Sequence, residues 1–107
     1  MHPLHLFCAA MLAAIPAAVA SAQPGDGAAG RAFAEAHCAR CHATAATGPS
    51  PMREAPAFRD LPTRYPVDHL AEALAEGIAT GHPGMPEFRL EPGEIHDFLA
   101  YLRALRP

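Results

Sequence analysis

The apolar positions of this chain fall into helical stripes separated by proline-rich breaks. The clearest stripe lies near the end. Ile95, Phe98, Leu99, Leu102 and Leu105 recur at spacings of three and four, as one buried helix face requires. Pro92 suits the first helical position and Glu94 the first turn, while Arg103 and Arg106 suit the last, so a helix is predicted over 92–105. A second stripe comprises Leu70, Ala73, Leu74 and Gly77 or Ile78. It leaves Glu72 and Glu76 on the wet side and predicts a helix over 68–78. Phe58, Leu61 and Tyr65 predict a short helix that Pro66 stops. Upstream, Asp26 is a good N-cap for a helix that starts near Gly27 and runs through Gly30, Phe33, Ala34 and His37. Gly30 and Ala34, four apart, give it a flat side that the last helix can approach closely. Between these elements, residues 43–56 contain Gly48-Pro49, Ser50-Pro51 and Ala55-Pro56, and proline breaks helix at each point. No alternating apolar run exists, so no strand is predicted. The fold class is all-α, with three main helices and a short one.

The first apolar run is a leader rather than fold. Residues 4–19 are alanine-rich, and Ala20-Ser21-Ala22 follows as a small-x-small cleavage site. This predicts a signal peptide over 1–22, cleaved to leave 23–107 as one domain. The amino-terminal region has no Lys or Arg, only His2 and His5. An uncleaved anchor is the rival reading, but the run is short and interrupted by Pro16, where a spanning helix wants about 20 apolar residues. No membrane span is expected after cleavage. Cys8 lies inside the leader, which leaves Cys38 and Cys41 as the cysteines of the mature chain. A domain this small needs a staple around which its short helices can pack.

The candidate staple is Cys38-Ala39-Arg40-Cys41-His42, a C-x-x-C-H motif, the attachment signature of c-type haem. At a helix end, residues three apart lie on one side. Cys38 and Cys41 can then reach the two vinyl groups of one haem edge as thioethers, and His42 offers a proximal imidazole to the iron. Three other readings fit the same residues. A thioredoxin-like pair needs a preceding strand in a βαβ setting. A zinc site needs about four ligands. A disulfide between Cys38 and Cys41 is open to an exported protein. The second chemical stretch is Thr80-Gly81-His82-Pro83-Gly84-Met85-Pro86-Glu87-Phe88, a stiff loop with one soft sulfur at its centre. Met85 is the expected distal iron ligand, with His82 and Met52 as rivals. The carbonyl of Pro49 is expected to accept from the His42 ring and orient it. Arg59 and Arg64 read as surface arginines, with a haem propionate as the alternative partner of either. His69 reads as surface.

These motifs resemble class I c-type cytochromes, and more narrowly the small single-haem cytochromes of bacteria. The resemblance spans residues 27–105. It rests on the C-x-x-C-H motif, Gly48-Pro49, Gly84-Met85-Pro86 and Tyr101-Leu102. It implies the cytochrome c fold wrapped around one covalent haem c, with His42 and Met85 on the iron. It also implies a crossing of the first and last helices, mapped here onto Gly30 and Phe33 against Phe98 and Tyr101. Phe33 follows Gly30 by three residues, where the family has four.

The resemblance implies a one-electron carrier rather than an enzyme, and its export implies the periplasm if the source is a Gram-negative bacterium. The partners implied are redox proteins, with the carrier itself a monomer. The alternative is a haem domain or subunit dedicated to a periplasmic redox enzyme, with catalysis at an open sixth site the weaker form. Charge narrows the partners. The chain has no lysine and a formal charge of −3, so the lysine-rich ring of mitochondrial members is absent. Nucleic-acid binding has no support, because there is neither basic excess nor a recognition motif.

Overall fold

The computed structural model describes residues 1, 3, 10–16, 25–77 and 84–105. Within them the order is α1 (Gly27–His37), α2 (Leu61–Arg64), α3 (Leu70–Glu76) and α4 (Pro92–Ala104), with 3-10 turns at Phe58–Asp60 and Val67–His69 leading into α2 and α3. No strand occurs among the described residues, so the all-α expectation holds. No described helix is long and apolar enough to cross a membrane. Ile78 and His82 lie outside the described residues, as does most of the expected leader.

The sequence signals explain where each helix begins. The Asp26 carboxylate accepts from the amides of Ala28 and Ala29 at 2.9 and 3.2 Å, which satisfies two of the orphan donors at the start of α1. At α4, Pro92 takes the first position, and the Glu94 carboxylate accepts from the Glu91 amide at 2.9 Å. The helix expected over 58–65 splits into a 3-10 turn and a single α-turn. Pro62 enters as a first-turn proline, and Tyr65 has already turned to extended backbone before Pro66.

α1 and α4 form the frame. Gly30 sits so close to α4 that a Cβ there would lie 2.0 Å from the Asp97 carbonyl oxygen and 2.9 Å from Tyr101 Cβ. Only a residue without a side chain allows that approach. The crossing starts earlier than the sequence indicates, because Gly25 stands equally close to the His96 carbonyl. The Asp26 amide also donates to the Asp97 carboxylate at 2.8 Å. Beyond Gly30, Ala34 is fully buried, and the Phe33 ring meets Phe98 edge-on at 5.9 Å. The expected pairing of Gly30 and Phe33 with Phe98 and Tyr101 is therefore present, despite the shortened spacing.

The stripe of α4 supplies most of the core. Ile95, Phe98, Leu99, Leu102 and Leu105 are buried with Ala34, Phe58, Leu74 and Leu90. At about 1.5–3 kcal/mol for each large apolar side chain removed from water, this face is what keeps short helices together. α3 adds Leu74, and the segment 84–90 is tied to it where the Leu90 amide donates to the Leu74 carbonyl at 2.9 Å. On the surface, Arg103 of α4 pairs with Asp68 beside α3.

Candidate functional site

α1 delivers the C-x-x-C-H motif. Cys38 caps the helix, its amide donating to Ala34 at 2.8 Å. The chain then turns tightly, so that the Cys38 carbonyl accepts from both the Cys41 amide (3.2 Å) and the His42 amide (2.9 Å). Cys38, Cys41 and His42 therefore share one compact turn, as the spacing predicts, and all three are half-buried. Both thiols are free rather than joined as a disulfide. Burial pushes the Cys38 thiol up to about 11, so it stays protonated at neutral pH. The element before it is a helix, not the strand that a thioredoxin-like motif needs. Among the described residues no three His, Cys, Asp or Glu side chains gather as a zinc site would demand.

His42 is oriented by a partner other than the expected one. Its Nδ1 lies 2.7 Å from the carbonyl oxygen of Pro56, not of Pro49. A carbonyl can only accept, so Nδ1 carries the proton and donates, which leaves the Nε2 lone pair available to a metal. Pro49 is exposed, and Gly48 beside it turns the chain with φ +96°. The coil after this turn runs back along the motif. The Ala43 amide donates to Ser50 Oγ at 3.0 Å, and the Met52 amide donates to the Cys41 carbonyl at 3.0 Å. The Phe58 amide then donates to the Ala43 carbonyl at 2.9 Å. Pro56 is drawn inward because Ala57 and Phe58, the next two residues, are buried. That apolar pair directly after a proline was the available signal.

Phe58 has a second effect. Its ring lies 4.9 Å from the imidazole of His42 and 5.6 Å from Phe98. The imidazole is thereby held by a hydrogen bond at Nδ1 and by a ring against its side. Tyr101 fixes the loop from α4, its hydroxyl donating to the carbonyl of buried Thr44. Burial raises the Tyr101 pKa, so the hydroxyl keeps the proton it donates.

Met85 is half-buried in the segment 84–90. Glu87 of this segment packs over Gly77, whose φ of +97° ends α3, and a Cβ there would lie 2.2 Å from the Glu87 carboxylate. Phe88 reaches α1, edge-on to His37 at 6.4 Å. Met52 approaches the start of this segment, its methyl 4.0 Å from where a Cβ on Gly84 would stand. The two described methionines considered for one role are thus neighbours of one glycine. Arg64 is exposed as expected, but Arg59 is half-buried, and its Nη1 has no hydrogen-bond partner among the described residues. The surface reading of Arg59 is corrected accordingly.

This donor set fits a haem. It offers two unpaired thiols in one turn, an imidazole with a free Nε2, a soft sulfur on a separate segment and an unsatisfied buried cation. The family described as "Cytochrome C oxidase, cbb3-type, subunit III" matches residues 25–102. A protein of Synechocystis sp. described as "Cytochrome c-553-like" is 33% identical over 81 residues, covering 76% of this chain and 70% of that protein. No solved structure matches the chain. The chain belongs to the small c-type cytochromes of this cbb3-type family. Membership implies a haem c with iron, electron transfer as its use, and redox proteins as partners.

Proposed function

We propose that residues 23–107 form a periplasmic one-electron carrier, exported by cleavage of a signal peptide over 1–22. Cys38 and Cys41 carry one haem c as thioethers, and His42 and Met85 are the axial ligands. When bound, the haem supplies a one-electron ferrous–ferric couple. The polypeptide's part is to hold and orient. The observation that carries the reading is the 2.7 Å contact of His42 Nδ1 with Pro56, which supports Nε2 as the iron-facing atom. Phe58 supports the same ring from its side. A thioether from Met85 gives a higher reduction potential than a second histidine would. His42 is committed to orientation and ligation, and the half-buried Met85 fits a sixth site that stays filled.

A second reading is supported by the matching family's own description, which is that of an oxidase subunit. In it the same domain passes electrons within a larger enzyme instead of diffusing between partners.

The test is an absorption spectrum of periplasmically expressed protein, oxidised and reduced, with and without carbon monoxide. The expected result is covalent haem, the weak long-wavelength charge-transfer band of methionine-bound ferric haem, and no response to carbon monoxide. A carbon monoxide shift without that band would remove Met85 from the iron and favour an open site. Protein without covalent haem would defeat the reading altogether. Electron-transfer kinetics with isolated candidate partners separate the free carrier from the oxidase subunit.

A further inference from the structure

α1 ends on His37, an exposed residue that the site described above does not use. Its ring is nevertheless held from two sides. Phe33 lies four residues back on the same face of α1, and the two rings tilt together at 4.7 Å. Phe88 meets His37 from the segment 84–90, edge-on at 6.4 Å. Both separations fall within the range of about 4.5–7 Å over which the positive edge of one ring attracts the negative face of another. Phe33 is itself anchored, edge-on to Phe98 at 5.9 Å, and Phe98 belongs to the buried core. The His37 ring is therefore a bridge, fixed on one side by α1 and α4 and engaged on the other by Phe88.

The place of Phe88 gives the bridge its use. It stands three residues after Met85, with Pro86 between them to restrict the backbone. Phe88 and Leu90 face inward while Glu87 and Arg89 are exposed, the alternation of an extended chain. Leu90 is bonded to Leu74 and so ties the segment to α3. Phe88 ties it to α1, the helix that delivers Cys38. Two anchors on two helices set the direction of a short stiff segment, where one would leave it free to swing. We infer that His37 is a positioning residue for Met85, holding Phe88 so that Phe88 fixes the line along which the Met85 sulfur approaches the iron. The inference rests on the reading of Met85 as the distal ligand given above. Loss of the His37 ring leaves the sulfur in place chemically but raises the fraction of molecules in which Met85 stands away from the iron.

The experiment uses the haem-loaded ferric protein at one fixed pH, with imidazole as the probe, a nitrogen base that takes the sixth site when the thioether vacates it. A probe that binds only the open state has an apparent affinity proportional to the population of that state. His37→Ala is expected to tighten imidazole binding about fivefold, the equivalent of one edge-on ring pair, and to weaken the methionine charge-transfer band. His37→Phe restores a ring and should return both readings close to those of the parent. Phe88→Leu should match His37→Ala, and the double variant should add nothing further, as action through Phe88 requires. In the ferrous parent, proton NMR should show cross-peaks between the rings of His37 and Phe88, a reading that needs no variant to fold. A merely structural role would lower the melting temperature of His37→Ala and leave imidazole binding to the folded protein unchanged. That result, or missing cross-peaks, would overturn the inference. A haem-loaded parent that shows the cross-peaks but no methionine band would instead overturn the reading of Met85 on which the inference depends.

Discussion

Around His42, the chain is tied on every side. Cys38 accepts two amides of the same turn, Cys41 is bonded to Met52, Ala43 is bonded to Ser50 and Phe58, and the ring itself is bonded to Pro56. Around Met85, the described ties are fewer. The Leu90 amide meets Leu74, Glu87 covers Gly77, and Phe88 touches His37. Among the described residues, one side is fixed by the backbone of its own and neighbouring turns, and the other by contacts of side chains and backbone downstream of Met85.

Four substitutions break or sharpen this contrast. The largest effect is expected from Phe58→Ala, which removes a buried ring from between His42 and Phe98. It should cost about 3–5 kcal/mol. That corresponds to a fall in melting temperature of roughly 15 °C or more for a domain of this size, read by circular dichroism. Gly30→Ala should come next. It leaves both ligand segments untouched but forces α1 off the Asp97 carbonyl, at about 2–3 kcal/mol. A melting temperature equal to that of the parent would show that the crossing yields more easily than its geometry implies. Met85→Ala should cost only about 1–2 kcal/mol, since the side chain is half-buried. Yet it should abolish the methionine charge-transfer band and admit carbon monoxide. A larger loss of stability than for Phe58→Ala would reverse the contrast between the two sides. The smallest effect belongs to Asp68→Asn. Its pair with Arg103 is exposed on both partners, so less than about 1 kcal/mol should be lost, and less still in high salt.

The parts of the fold that follow from local pattern were legible in the sequence. The cap at Asp26, Pro92 at the start of α4 and the stripe from Ile95 to Leu105 each depend on residues within a turn or two of one another. The meeting of Gly30 with α4 was legible as well, because a flat side and a full apolar stripe have few other ways to be buried. The partner of His42 was not. Three X-Pro pairs follow the motif, and the expectation falls on Gly48-Pro49. The choice is made by the path of the coil, through the Ala43–Ser50 and Cys41–Met52 bonds and the burial of Phe58, and no periodicity encodes these. Arg59 departs from its expected surface place for a related reason. On an irregular segment the sequence does not indicate which side chains face inward. Gly25 carries no local signal of its contact, because it precedes the helix whose packing it extends.

The bond between Asp26 and Asp97 joins residues 71 apart. Bringing such distant positions together costs about 4 kcal/mol of chain entropy before any contact returns it. α1 alone, at 11 residues, is below the length of about 12–15 at which isolated helices become even marginal in water. During synthesis, therefore, the segment bearing Cys38, Cys41 and His42 emerges without the partner that would keep it folded. It remains open chain until α4 has been made. The C-x-x-C-H motif is thus exposed early in the life of the polypeptide and takes its folded place only at the end.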